Sequence, residues 1–336
     1  MVASSESRRQ KLRKTVERLL ASQRAPSECI SDAAELERLL RESAGPKYQQ
    51  NAETVTPQGL ALSKDEAANC AGDPLRTIGF LRGLHDAILD IRRMRPERPV
   101  DVLYAGCGPL ATLAIPLMTM FDSSQAMFAL LDIHSSSVDC VKTSLKNLNL
   151  ENSVAKIISI DAMDYRVPFG REPDIILLEI MQAGLDREPQ VAITRHLSSQ
   201  APNAILIPEE ISIDVRMSDP VAEFQLPERN GRDAHQPDRL ALGPVFKLNR
   251  EAITSWENEG DQNVLPGGKI RISSQHGDLR LPFFFTTIKV YGDHVLDAYE
   301  SGLTIPRVIV PEDDLELKNE INFLYHLGAN PRLAPC

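Results

Sequence analysis

The sequence predicts an α/β chain in which a domain built on a largely parallel sheet is preceded by helices and followed by a β-rich, barrel-like domain. Three observations carry this. From Val100 onward, apolar strand-like runs alternate with helix-like segments, the pattern of parallel strands joined by helical crossovers. The first run, VDVLYAGCG over residues 100–108, ends in a two-glycine turn, and the second, FALLDI, ends in Asp132. Together they read as a Rossmann-like βαβ unit with an acid closing its second strand. From about Glu209 the pattern changes to short runs separated by Pro, Gly and Asp, including KIRISS, FFFTTIKVYG, HVLDAYES and RVIVP, which read as strands of a second domain.

Taken in order, residues 6–41 carry Leu and Ile at helical spacing among charges and predict two amphipathic helices separated at Arg24-Ala-Pro. Ser63 followed by Glu66 forms a capping box, and Asp73-Pro74 starts a further helix that ends at a basic turn before Pro96 and Pro99. The cofactor-type domain then runs through the strand at 100–105, a helix over 110–120, FALLDI, a helix over 137–150, AKIISID, PDIILLEI, a long helix and the strand AILIPEEISIDV, with helices on both sheet faces. Residues 220–244 are polar and turn-rich, either a mobile loop or an arm reaching a partner. The expected boundaries are 1–95 for a helical segment covering the cofactor site, 96–208 for the cofactor domain and 209–336 for a substrate and dimerisation domain.

At 336 residues and 42% hydrophobic, the chain buries a full core and accommodates a site between domains. Its net charge of −10 gives no electrostatic support for duplex binding, so nucleic acid is not an expected partner and a cationic substrate is. The five cysteines are dispersed, odd in number and without CxxC, as thiols of a reducing cytoplasm are. No apolar run reaches the roughly 18 residues of a membrane span, and no signal-peptide core follows the N-terminus. The seven histidines are scattered and form no HxxxH, so no metal is expected.

Residues 106–111 fit GxGxxA, a fingerprint shared by nicotinamide and flavin enzymes. A pyrophosphate requires N–H donors at a helix start, and Pro109 removes one there. This shifts the reading to S-adenosylmethionine, which has no phosphate. Gly106 and Gly108 would lie against its methionine part, Asp132 would accept from the ribose hydroxyls, Asp161 would receive the adenine amino group, and Arg76 would pair with the carboxylate. Without a ligand, the glycines would serve a tight turn, Asp132 would cap the next helix and Arg76 would be a solvated charge. Three of the four sites fall at successive strand ends, where ligands of open α/β sheets bind.

The fourth strand delivers Glu179 at its end, and after IMQAGLDR comes Glu188, just before Pro189 and the helix QVAITRHL. Here the chain resembles the class I S-adenosylmethionine-dependent methyltransferases, and among them the protein arginine methyltransferases. The resemblance rests on two glutamates separated by eight residues, on Arg76-Thr77 upstream of the glycine turn, and on the next helix with its strand ending in proline, over about residues 73–215. It implies that Arg76 holds the cofactor carboxylate, Asp132 the ribose, and Glu179 with Glu188 the guanidinium of an arginine, in a dimeric enzyme. Two carboxylates facing a planar guanidinium would fix its plane and leave one nitrogen richer for attack on the methyl carbon. Glu188 alone would be an acid favouring the start of a helix.

The segment between the glutamates lacks the aromatic residues of the protein-modifying enzymes, and their Thr-His-Trp motif has no counterpart, although Gln275-His276-Gly-Asp278 offers a His near an Asp. These departures point to a small-molecule substrate, free arginine or a related guanidino metabolite of a biosynthetic pathway. Three alternatives remain open. The turn GCGPL also resembles that of nicotianamine synthases, which move the aminocarboxypropyl group instead. A nicotinamide oxidoreductase is another, and a non-catalytic scaffold docking through the β-rich half is the third.

Overall fold

The computed structural model describes residues 2–21, 23–45, 52–224, 237–256, 263–271, 280–309 and 320–336. The chain opens on helices α1 (Val2–Leu20) and α2 (Ile30–Ala44). Leu12, Val16 and Leu19 recur at i, i+4 and i+7 on α1, and they share one apolar cluster with Leu36, Leu39 and Leu40 of α2. Across the intervening turn, Arg18 and Arg24 both hold Asp32 at 2.7 Å. A short hairpin follows, β1 (Thr54–Thr56) and β2 (Gly59–Ala61), then α3 (Lys64–Asn69) and α4 (Pro74–Met94). Both expected start signals are in place. The Ser63 hydroxyl accepts from the Glu66 N–H at 3.3 Å while the Ser63 N–H donates to the Glu66 carboxylate at 3.0 Å. Asp73 accepts from the Arg76 N–H at 3.2 Å with one oxygen. Its other oxygen takes the Ser301 hydroxyl at 2.7 Å and the Gly302 N–H at 2.9 Å, so the residue that starts α4 also ties it to the second half of the chain.

The central sheet holds β3 (Val100–Ala105), β4 (Ala126–Asp132), β5 (Val154–Ser159), β6 (Ile175–Leu178) and β7 (Ile205–Ile207), all parallel, in the order β5-β4-β3-β6-β7. Helices α5 (Ile115–Met118), α6 (Ser135–Leu148) and α7 (Gln190–Gln200) lie in its connections. The order reverses at β3, and that switch point opens a crevice at the carboxyl ends of the strands.

Three expectations are corrected. The helix expected over 110–120 is reduced to α5, because Gly106, Gly108 and Ala111 all have positive φ and delay helix entry to Ile115. The β5-to-β6 connection carries turns and no helix, broken by Pro168, Gly170 and Pro173, so helical crossovers do not follow every strand. AILIPEEISIDV is two strands, because Pro208 has no N–H for the ladder and turns the chain out of the parallel sheet into β8 (Glu210–Ser218).

The remaining elements are α8 (Pro220–Phe224), β9 (Leu240–Asn249), α9 (Arg250–Trp256), β10 (Val264–Arg271), β11 (Leu281–Tyr291), β12 (His294–Leu296), β13 (Arg307–Val308), β14 (Glu320–His326) and β15 (Arg332–Pro335). They form two antiparallel sheets, β12-β11-β8-β9 with β13 beside β11, and β10-β14-β15. Phe246 stacks between Trp256 and Tyr325, with ring centroids 5.5 and 4.7 Å apart, at the heart of this half. The two halves meet along α4, where His294 reaches Asp86 at 2.8 Å and the Tyr291 hydroxyl donates to Asp90 at 3.0 Å.

Candidate active site

A cleft opens at the carboxyl ends of β3, β4, β5 and β6. Arg76, Gly106, Gly108, Asp132, Asp161 and Glu179 all border it. Glu188 does not: it sits just behind Pro189 and is 5% exposed.

The turn after β3 is built by its glycines. Gly106 has φ +73°, and a Cβ there would fall 2.2 Å from Ile180 Cγ2, so only glycine lets this turn lie against the strand-end loop of β6. The turn's donors are already engaged. The N–H groups of Gly106 and Cys107 donate to the Leu131 carbonyl at 2.9 and 3.0 Å, and that of Gly108 donates to Asp132 at 2.8 Å. Pro109 has none. A pyrophosphate would find no free donor at these four residues, whereas a cofactor without phosphate needs none.

Asp132 does not cap α6, whose N-cap residue is His134. Its second oxygen accepts from the His134 N–H at 2.9 Å, and burial pushes its carboxyl up against these two donors. The Ser137 side chain also hydrogen-bonds this carboxylate, which as an acceptor of about four hydrogen bonds keeps room for a ligand hydroxyl. Asp161 lies two residues beyond β5, where its carboxylate accepts from the Met163 N–H at 2.9 Å.

Arg76, expected on the cofactor carboxylate, and Glu179, expected on the substrate guanidinium, are ion-paired with each other. Their side chains are 12% and 6% exposed. Arg76 stays protonated because Glu179 and the Cys70 thiol offset its burial. Burial pushes Glu179 up to about 7 in spite of Arg76. Glu188 is pushed up to about 8, by burial first and by the charge of Glu179 second, and the Gln182 side chain hydrogen-bonds it in opposition. Between the two glutamates the backbone is unusual: Gly184, Leu185 and Arg187 have positive φ, and Tyr325 holds the Leu185 carbonyl at 2.7 Å.

Sequence reasoning missed the roof. The hairpin β1–β2 spans the cleft: Thr56, Gln58 and Leu60 line it, the Leu60 N–H donates to the Arg187 carbonyl at 2.7 Å, and Thr54 meets His134 Nε2 at 3.0 Å. A Cβ on Gly59 would lie 2.7 Å from the Arg187 oxygen, which measures how closely the roof sits on the Glu188 segment. The signal was present in TVTPQGLA, two short β-prone runs around a Pro-Gln-Gly turn. The His276 and Asp278 candidates lie outside the described residues, as do residues 225–236 of the 220–244 arm. Among the described residues no group of three or more His, Cys, Asp or Glu is arranged to hold a metal, and no helix is long and apolar enough to cross a membrane.

No family model matches this sequence, and no curated protein does. Among solved structures the chain is similar to a crystal structure of PRMT6, at 10% identity and a TM-score of 0.49, covering 76% of this chain and 95% of that one. It is also similar to the Trypanosoma brucei PRMT1 enzyme-prozyme heterotetrameric complex with AdoHcy, at 12% identity and a TM-score of 0.47, over 80% and 96% of the two chains. A structure of PRMT6 with SAH gives 10%, 0.47, 76% and 96% for the same quantities. At such likeness the architecture rests on the chain's own topology: a parallel sheet in the order β5-β4-β3-β6-β7 that opens a cleft at its switch point, followed by an antiparallel β-rich half.

Proposed function

We propose that the chain is an S-adenosylmethionine-dependent N-methyltransferase acting on the guanidino group of free arginine or a related small guanidino metabolite. The observation that carries this reading is a charge count at the end of β6. Two buried carboxyl groups, Glu179 and Glu188, stand beside one buried guanidinium, Arg76, so a second guanidinium is what would neutralise the group once both have ionised. The cofactor half is supported by the engaged N–H groups of the glycine turn, which suit a ligand without phosphate, and by Asp132 at the end of β4.

When bound, S-adenosylmethionine supplies a methyl group made electrophilic by a sulfonium. Asp132 would hold its ribose diol, Asp161 its adenine amino group and Arg76 its carboxylate. The glutamate pair binds the guanidinium bidentately and draws positive charge toward the nitrogens it faces, which leaves the remaining nitrogen richer. Holding that nitrogen in line is worth roughly 7–11 kcal/mol of the barrier. Glu188, ionised on binding the cation, would take the proton that the methylated nitrogen sheds.

The roof supports a small substrate. The hairpin lies directly over the Arg187–Pro189 backbone, which leaves little space for a guanidinium carried on a folded protein surface. A second copy of the chain is the proposed partner, through Val221 and Phe224, which α8 exposes at 56% and 66%. Light scattering tests that dimer.

Mass spectrometry of the chain incubated with S-adenosylmethionine and a panel of guanidino compounds, arginine-containing peptides and other amino acids tests the reaction. Gain of a methyl on free arginine or a close relative, with S-adenosylhomocysteine formed, is the expected result. Formation of methylthioadenosine would assign aminocarboxypropyl transfer instead, and no transfer to any guanidine would remove the glutamate clamp.

A further inference from the structure

We propose that Gln190, the first residue of α7, is a positioning residue that holds Glu179 and the Gly106 turn in one register. This rests on the proposed function for its catalytic consequence, but its structural content stands apart from it. Gln190 is 1% exposed. Its amide oxygen accepts from the Ile180 N–H at 3.0 Å, and its amide nitrogen faces the Leu178 carbonyl and the Thr194 hydroxyl, each at 3.4 Å. Ile180 N–H and Leu178 C=O are the backbone groups on either side of Glu179. One buried side-chain amide therefore brackets the residue that pairs with Arg76.

Leu178 is the last ladder residue of β6, opposite Ala105, so the Ile180 N–H lies beyond the sheet and finds its acceptor in Gln190. The Thr194 hydroxyl donates to the Gln190 main-chain carbonyl at 2.6 Å, which leaves its oxygen to accept from the Gln190 side-chain amide at 3.4 Å. From Ile180 the register passes on to the cofactor turn, since the Ile180 side chain occupies the space that a Cβ on Gly106 would take. A shift of residues 178–180 thus moves the substrate carboxylate and the cofactor turn together.

Gln190→Leu and Gln190→Glu test this, with Ser198→Ala as a control on the same helix. The Leu variant removes both hydrogen bonds at similar volume. Expected are a fall in kcat on the order of 100-fold, weaker binding of S-adenosylhomocysteine by calorimetry, and amide exchange over residues 178–188 faster by about tenfold or more, with α6 unchanged. The Glu variant reproduces the donor–acceptor pattern of the amide only while its carboxyl is protonated. Its turnover and cofactor affinity, relative to those of the unmodified chain, are therefore expected to be rescued at low pH and lost as pH rises. A merely structural role would not produce that pH-dependent rescue. A Leu variant with unchanged exchange over 178–188, or a Glu variant whose ratio to the unmodified chain is flat in pH, would overturn the assignment. If the unmodified chain methylates no guanidine, the proposed function fails, while the exchange data still decide the role of Gln190.

Discussion

Glu188→Gln is expected to make the protein more stable and less active, both effects growing with pH. Glu188 is buried beside Glu179, and its carboxyl is pushed up to about 8 in the folded chain, against an ordinary value of 4.5. A carboxyl with a raised folded pKa contributes stability below its unfolded value, and that contribution is lost as pH rises through the folded one. Over roughly 3.5 units, at 1.36 kcal/mol each, ionising Glu188 costs on the order of 3–5 kcal/mol by pH 9. The glutamine variant escapes this cost and should melt roughly 5 °C higher at pH 9, with little difference near pH 5. Activity runs the other way. A carboxyl with a pKa of about 8 is ionised to only about one part in ten at pH 7, so kcat/KM for a guanidinium substrate should rise about tenfold per pH unit toward 8 and then level. Loss of one partner of a buried charge pair costs about 2–5 kcal/mol, so at pH 9 the variant should fall by roughly 30- to several-thousand-fold, with the gap closing as pH falls. Circular-dichroism melts and kcat/KM profiles from pH 5 to 9 read both arms. A variant equally destabilised at every pH, or an activity ratio that ignores pH, would refute the reasoning.

Other perturbations separate the parts of the site. Glu179→Gln should abolish guanidine methylation while S-adenosylhomocysteine still binds in calorimetry, because the proposed function gives Glu179 to the substrate and Asp132 to the cofactor. Arg76→Met leaves the Glu179 carboxylate buried without its cation and should lower the unfolding free energy by about 3–5 kcal/mol at pH 8; urea melts should show most of that loss recovered in the double variant Arg76→Met/Glu179→Gln. Asp132→Asn should weaken cofactor binding on the order of 10- to 100-fold, since charge-assisted bonds of roughly 1.5–3 kcal/mol become neutral ones. Gly59→Ala places a Cβ 2.7 Å from the Arg187 oxygen at φ +144°, so the roof must lift; substrate KM should rise several-fold with little change in melting temperature.

The β3–β4 side of the cleft was legible in the sequence because its parts are local. A strand, its terminal turn and the acid at the end of the next strand are set by apolar runs, glycines and one Asp, each of which has a preferred place in the chain. Both helix starts, at Ser63 and Asp73, were readable for the same reason: a cap and the N–H that donates to it lie within three residues. The shortened helix at α5 escaped because its entry depends on backbone angles at Ala111, a residue that ordinarily favours helix.

What the sequence by itself determined was the succession of helical, parallel-strand and β-rich segments, the strand ends, and the glycines and acids that those ends carry. The partnerships among those side chains came only with the tertiary structure. Arg76 and Glu179 are 103 residues apart, and nothing in either neighbourhood encodes that they pair. The rise in the Glu188 pKa, the roof over Arg187 and the Gln190 bracket around Glu179 are likewise products of packing. Burial removes water as the default partner, and only the full fold decides which distant group takes its place.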